Sequence, residues 1–103
     1  MVTTVHTKSD LLTRLHKQKA EISRLGVARL GVFGSFARDE PTADSDVDLL
    51  IEFAPGKKTF DRFMGLAHLL EDTLQRRVEL VTPESLSPYI GPHILREVEY
   101  VEI

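Results

Sequence analysis

The sequence contains no cysteine, which excludes disulfide bonds and metal sites built from thiolates. It has no run of about eighteen apolar residues, the length that a membrane-spanning helix needs. Its first residues carry neither the basic nor the apolar region of a signal peptide. These absences predict a protein without a membrane span, and they fit a cytoplasmic location.

An excess of positive charge is also missing, because 13 Lys and Arg residues stand against 16 Asp and Glu residues and give a formal net charge of −3. Proteins that bind nucleic acid generally need a basic surface that displaces counterions from the phosphates. Direct binding to nucleic acid is therefore not expected. Binding of a single nucleotide stays open, because metal ions can offset acidic charge within one site.

The chain has 103 residues, of which 42% are hydrophobic and 28% are charged. This composition predicts a single globular domain over residues 1–103, with residues 1–8 as the part that could be disordered. A domain of this size can bury a core, but it cannot also house a second substrate-binding domain. A second substrate is therefore expected to meet the protein at its surface.

Hydrophobic periodicity divides the chain into alternating helices and strands. Helices are predicted at 9–25, 60–75 and about 89–98, a short helix is predicted within 34–38, and strands are predicted at 27–33, 46–53 and 77–81. This α-β-α-β-α-β-α order predicts an α/β (α+β) fold, with a small three-stranded mixed sheet flanked by helices.

The ends and faces of the two long helices are predicted from local residues. Ser9 and Thr59 are candidate N-caps. The inner stripe of the second long helix is predicted to contain Phe63, Ala67, Leu70 and Leu74.

Gly34 and Ser35 stand where the first strand is predicted to give way to a helix. Glycine lets the backbone approach a ligand closely, and a helix N-terminus offers free N–H groups to phosphate oxygens. The serine hydroxyl would add another donor. The pair therefore indicates a phosphate-binding turn, and a simple turn without a ligand is the alternative.

Asp46 and Asp48 begin the second strand, which reads Asp-Val-Asp-Leu-Leu-Ile-Glu-Phe. The two-residue period of a strand points both carboxylates to the same side, roughly 7 Å apart along the chain. Like charges at this spacing repel each other, and a hard divalent cation with oxygen ligands neutralises them. The pair is either a metal site or a solvated strand end.

Glu79 is the middle residue of the third predicted strand, Arg77-Val78-Glu79-Leu80-Val81. Either it faces outward from an alternating strand, or it lies beside Asp46 and Asp48. In the second case the three acids form a cradle for two metal ions about 4 Å apart. Such a pair can clamp the attacking and leaving oxygens of a phosphoryl transfer.

The spacing of these residues resembles a known signature. Gly34-Ser35, ten residues and then Asp46-x-Asp48 is similar to the signature of the polymerase-β-like nucleotidyltransferase superfamily. The fuller stretch from Gly34 to Phe53 resembles the minimal nucleotidyltransferase (MNT) family. The later part of the chain resembles the same family at Val-Glu-Leu-Val-Thr-Pro-Glu-Ser-Leu (residues 78–86), at Ile94 and at Arg96-Glu97. The resemblance extends over about residues 10–100 and implies the nucleotidyltransferase fold.

The resemblance also implies a role for each matching residue. Gly34 and Ser35 match the phosphate-binding turn of the family. Asp46 and Asp48 match its metal-binding pair, which holds Mg²⁺ around a nucleoside triphosphate such as ATP. Glu79 falls at the third acid, where many relatives have Asp, so that the carboxylate here is one methylene longer.

Arg38 matches an arginine that is frequent in the family. It lies one turn after Ser35, from where its guanidinium could reach the triphosphate. The alternative role for the Arg38 side chain is an ion pair with Asp39, Glu40 or Asp44.

The resemblance further implies a partner, because MNT proteins usually pair with a HEPN-domain protein as a toxin–antitoxin system. This chain would be the antitoxin, and it would neutralise the toxin by transferring AMP from ATP to one of its tyrosines. Two alternatives remain open: an antitoxin that acts by binding without catalysis, and a subunit of a small-molecule nucleotidyltransferase.

Overall fold

A computed structural model describes residues 3–102, which form four α-helices and four β-strands. In chain order these are α1 (Lys8–Lys17), α2 (Lys19–Arg24), β1 (Val27–Phe33), β2 (Val47–Phe53), α3 (Phe60–Leu74), β3 (Val78–Val81), α4 (Gly91–Glu97) and β4 (Glu99–Val101). A 3₁₀ turn, Pro83–Ser85, lies between β3 and α4. Within residues 3–102, no helix is long and apolar enough to cross a membrane.

All four strands belong to one mixed sheet with the order β3-β2-β1-β4. β1 pairs antiparallel with β2 and with β4, whereas β2 and β3 are parallel. The predicted α/β fold with a mixed sheet flanked by helices is confirmed, but the sheet has four strands rather than three. β4 is only three residues long, which is too short to show a strand period, and it is held by its long-range pairing with β1.

The helix predicted at 9–25 is instead two helices, α1 and α2, which meet at Gln18. Thr7 caps α1 rather than Ser9, because the Thr7 hydroxyl accepts a hydrogen bond from the Asp10 amide at 3.0 Å. At α3 the predicted cap is correct, since the Thr59 hydroxyl accepts a hydrogen bond from the amide three residues later.

The segment before α1 packs against the rest of the domain. Val5 is fully buried, and its amide donates a hydrogen bond to the Leu74 carbonyl at 2.9 Å. This part of residues 1–8 thus contacts the C-terminal end of α3, while residues 1 and 2 lie outside the described range.

The main core lies between α1, α2, α3 and one face of the sheet. On α3 the fully buried residues are Leu66, Leu70 and Leu74, so the inner stripe includes Leu66 where Phe63 and Ala67 were expected. The strands contribute Val27, Leu30, Val32, Val47, Leu49 and Ile51. Each such side chain contributes roughly 1.5–3 kcal/mol when it is removed from water.

The opposite face of the sheet is covered in part by the chain around α4. Phe33 of β1 and Leu50 of β2 are buried there. Gly31 permits a close approach, because a Cβ atom at this position would lie 2.4 Å from Cγ2 of Val98. The end of α4 is thereby held against the sheet face that also carries the acidic residues of β2 and β3.

Candidate active site

Two carboxylates of the site face each other across the parallel pair of strands. Asp48 of β2 stands opposite Glu79 of β3 in the register, and Phe33 of β1 is its neighbour on the other side. Paired residues of adjacent strands project to the same face of a sheet. The structure thus brings Asp48 and Glu79 together, as the cradle interpretation requires, although β3 is an edge strand and Glu79 is exposed.

Asp46 lies one residue before β2 begins and joins the same cluster. Its side chain is 38% exposed, and its Oδ1 is 3.9 Å from Nε of Arg77. The amide of Val47 donates a hydrogen bond to the Arg77 carbonyl at 2.9 Å. This bond lies where the parallel pairing of β2 with β3 begins, and it holds Asp46 at the start of β2. The Arg77 side chain is 81% exposed, so its ion pair with Asp46 is weak.

Gly34 lies against Asp48 at the end of β1. Its φ is +75°, and a Cβ atom there would be only 2.1 Å from Oδ2 of Asp48. Residues other than glycine rarely adopt a positive φ, and the contact with Asp48 leaves no room for a side chain. Only glycine therefore allows the turn that follows β1 to touch the carboxylate.

Residues 34–39 form a turn rather than the predicted short helix. The amides of Arg38 and Glu40 donate to the carbonyls of Gly34 and Ser35, respectively, and Asp39 has a φ of +56°. A left-handed residue at this point ends any helical continuation. Ser35 therefore lies in a tight turn, directly after the glycine that touches Asp48.

Arg38 extends from this turn toward two acids. Its Nη1 donates to Oε1 of Glu97 at the end of α4, and its Nε is 3.9 Å from Oε2 of Glu40. Glu40 was one of the ion-pair partners expected from the sequence. Glu97 was not, because 59 residues separate it from Arg38 and no local pattern relates the two.

Burial and negative neighbours raise the pKa of Asp48 from 3.8 to about 6. Partial burial of the carboxyl is the largest cause, and the charge and hydrogen bonding of Glu79 follow; Asp46 and Glu97 add smaller repulsions. Three other acids therefore act on Asp48 at this place. A carboxyl pKa that is raised by burial and by a charged neighbour is a common property of functional sites.

The donor chemistry of the cluster fits a hard divalent cation such as Mg²⁺, which prefers carboxylate oxygens. The repulsion that raises the Asp48 pKa is what a bound cation would relieve. Across the described residues, however, no group of three or more His, Cys, Asp or Glu side chains already has a metal-binding geometry. The carboxylates are thus the type of ligand that Mg²⁺ prefers, but in this structure their positions do not form a metal-binding geometry.

Arg76 is a structural residue that the sequence did not identify. Its guanidinium donates to the Val5 carbonyl at 2.7 Å and to the Ser45 carbonyl at 2.8 Å, and it lies 5.2 Å from the centre of the buried Phe36 ring. It thus ties together the N-terminal segment, the loop before Asp46 and the turn after Gly34. An arginine next to a turn gives no sign of this role in the sequence.

A cavity of about 420 Å³ lies apart from the acids, lined by Lys58, Thr59, Phe60, Phe63, Leu80, Thr82 and Ser85. Leu80 alternates with Glu79 along β3 and therefore faces the other side of the sheet. The cavity contains none of the candidate catalytic residues, so it is not the candidate active site. The acidic cluster is where the candidate catalytic carboxylates Asp48 and Glu79 lie side by side.

Comparison with known proteins agrees with this geometry. Residues 15–101 match the family model described as a nucleotidyltransferase domain. The protein adenylyltransferase MntA of Thermococcus cleftensis is 41% identical over 95% of this chain and 96% of its own. This chain belongs to the nucleotidyltransferase family.

Other relatives of this nucleotidyltransferase support the same placement. A candidate protein adenylyltransferase of Methanocaldococcus jannaschii is 33% identical over 92% of this chain and 98% of the relative. The solved structure of a candidate minimal nucleotidyltransferase is 34% identical, covers 94% of this chain and 96% of its own, and superposes with a TM-score of 0.78.

A toxin–antitoxin structure solved with AMP-PNP shares the fold at 18% identity, with a TM-score of 0.63 over 90% of this chain and 70% of that chain. The nucleotidyltransferase fold implied by the sequence resemblance is thereby confirmed.

Proposed function

We propose that this nucleotidyltransferase is a Mg²⁺-dependent protein adenylyltransferase that acts as an antitoxin. It transfers AMP from ATP to a tyrosine hydroxyl of a partner toxin of the HEPN class. The observation that carries the proposal is the register pairing of Asp48 with Glu79 beside the turn at Gly34. The identity of 41% with an MntA adenylyltransferase supports transfer to a protein.

The exposure of the site supports a large acceptor. Asp46 is 38% exposed and Glu79 is exposed on an edge strand, so the acids face solvent rather than an enclosed pocket. An open site suits a segment of another protein, and the partner itself would then complete the exclusion of water.

The chain's own residues would divide the work between the nucleotide and the metal. The turn at Gly34 and Ser35 would hold the terminal phosphates, and Arg38 would lie along the triphosphate. Asp46, Asp48 and Glu79 would hold Mg²⁺, which when bound neutralises phosphate charge and polarises the phosphorus under attack.

The transfer itself is a substitution at the α-phosphorus. The tyrosine oxygen forms a bond to this phosphorus as the bond to pyrophosphate breaks, and the phenol proton passes to a carboxylate of the cluster or to solvent. The products are an AMP–tyrosine ester and pyrophosphate.

A second function is favoured by one observation. Glu79 is exposed on the edge strand β3, a position that does not require it to hold a metal, as in an antitoxin that neutralises its toxin by binding alone. The two functions differ in their response to Asp48→Asn, since occlusion of the toxin does not require this carboxylate.

The test is intact-mass spectrometry of the candidate toxin after incubation with ATP, Mg²⁺ and this protein. Mass increments of AMP on a tyrosine peptide, lost with Asp48→Asn, are the expected result. A toxin that stays unmodified but is inhibited equally by the wild type and by Asp48→Asn would establish the binding function instead. If labelled ATP is used and the label appears on a small molecule, the protein would instead be a subunit of a small-molecule nucleotidyltransferase.

A further inference from the structure

Glu97 lies at the junction between α4 and the acidic site. It is the last residue of α4, and its neighbour Val98 is pressed against Gly31 of β1. The Glu97 side chain is 29% exposed, and its charge reaches Asp48, whose pKa it helps to raise. It is thus held beside the site by the packing of α4 on the sheet.

The Glu97 carboxylate holds Arg38 from across the site. Nη1 of Arg38 donates directly to it, while Nε is turned toward the more distant Glu40 at 3.9 Å. Two of the three guanidinium nitrogens therefore face acids of the protein. For the third, Nη2, the described part of the chain offers no hydrogen-bond partner.

This arrangement fixes a guanidinium next to the turn that would hold the phosphates. The Arg38 amide donates to the Gly34 carbonyl at 3.3 Å, so the arginine begins on the turn itself. An arginine has five N–H donors in a rigid fork, and one edge can be held while another meets a phosphate. An exposed arginine that is not held in this way would lose its rotamer freedom only when the nucleotide binds, and this entropy loss would weaken nucleotide binding.

We propose that Glu97 is a positioning residue for the nucleotide: it holds Arg38 so that Nη2 is presented to the triphosphate. Glu97 acts through Arg38 and does not itself touch the nucleotide. The inference rests on the proposed nucleotide-binding function of the same site. It assigns a role to α4, a helix that carries none of the acids expected from the sequence.

The first test compares two acids that face the same arginine. Glu97→Gln is expected to raise KM for ATP roughly 3- to 10-fold, the cost of ordering one long side chain, with kcat changed less than about twofold. Glu40→Gln is the matched control, since Glu40 is 73% exposed and 3.9 Å away, and it should leave KM unchanged. Equal effects of the two variants, or a fall in kcat alone for Glu97→Gln, would overturn the proposal.

The second test is a double-mutant cycle. In an Arg38→Ala background, Glu97→Gln should leave KM for ATP unchanged or lower it, because only the repulsion between Glu97 and the phosphates remains to be removed. If it raises KM as much as in the wild-type background, Glu97 does not act through Arg38 and the proposal is wrong.

Binding of a fluorescent ATP analogue separates this inference from the proposed function. If the wild type neither binds the analogue with Mg²⁺ nor transfers AMP, the proposed function fails. If it does both and Glu97→Gln is indistinguishable from it, the positioning role alone fails. Thermal unfolding of each variant, measured alongside, excludes a general loss of structure as the cause of a raised KM.

Discussion

Asp48→Asn should make the metal-free protein more stable near neutral pH, although it removes a residue of the proposed active site. Ionised Asp48 is costly in the fold because it is partly buried and stands against Glu79. Asparagine has the same shape without the charge, and its amide can donate to the Glu79 carboxylate. The substitution therefore removes a repulsion and leaves the packing nearly unchanged.

The magnitude follows from the pKa. A rise from 3.8 to about 6 corresponds to an upper bound of roughly 3 kcal/mol of destabilisation by the ionised group. Solvent reaches part of this side chain and screens the repulsion, so we expect about 1.5 kcal/mol. For a domain of this length, that gain corresponds to a rise in Tm of roughly 6–12 °C.

The sign of the pH dependence is fixed by linkage. Between pH 3.8 and about 6 the folded protein keeps a proton on Asp48 that the unfolded chain has already released. The contribution of Asp48 to stability therefore falls as pH rises through this window and is constant above it. The advantage of Asp48→Asn should be full at pH 7 and above, shrink below pH 6 and vanish near pH 4.

Urea unfolding in EDTA across this pH range measures the effect. Asp44→Asn, which removes the same charge from an exposed loop residue, is the control and should change stability by less than about 0.5 kcal/mol. A less stable Asp48→Asn protein, or an advantage independent of pH, would refute the reasoning. Mg²⁺ should reverse the order, because it stabilises only a protein that binds it.

Three further predictions follow from single contacts. Gly34→Ala should destabilise the fold by about 2 kcal/mol or more and abolish AMP transfer, because the backbone is strained for alanine and its Cβ would lie 2.1 Å from Asp48. The control is Gly56→Ala, since Gly56 has the same φ of +75° and a Cβ there would have no neighbour within 4 Å. In thermal unfolding this control should show only the cost of the strained backbone, and it should keep its activity. Arg76→Ala should lower the free energy of unfolding by about 2–3 kcal/mol, since it leaves several backbone carbonyls without their donor; a loss under 0.5 kcal/mol in urea would contradict its tethering role. Glu79→Gln should reduce AMP transfer at least tenfold and weaken the dependence of the rate on Mg²⁺ concentration, while Tm stays nearly constant. Full activity of this variant in a kinetic assay would show that Glu79 is not part of the active site.

Local sequence signals were sufficient for several elements of the fold. β1 lies at 27–33 as predicted, and Thr59 caps α3. These features depend on side-chain periodicity and on hydrogen bonds between residues three or four apart. The same signals failed at residues 34–38, where a left-handed Asp39 ends the predicted helix after a single turn.

The sequence alone also determined which residues were candidates for chemistry. The spacing of Gly34, Asp46 and Asp48 pointed to a nucleotidyltransferase, and the family comparison agrees. A two-residue period is enough to place Asp46 and Asp48 on one side of the chain. Whether Glu79 would join them was open, because it depended on which strand neighbours β2 and in which register.

The tertiary structure decided what no local pattern contains. Parallel pairing of β2 with β3 sets Glu79 opposite Asp48, and the packing of α4 brings Glu97 to Arg38 across 59 residues of sequence. β4 exists only because β1 offers it a free edge. Each of these contacts joins segments far apart in the chain, and its free energy comes from burial and pairing that appear only when the sheet has assembled.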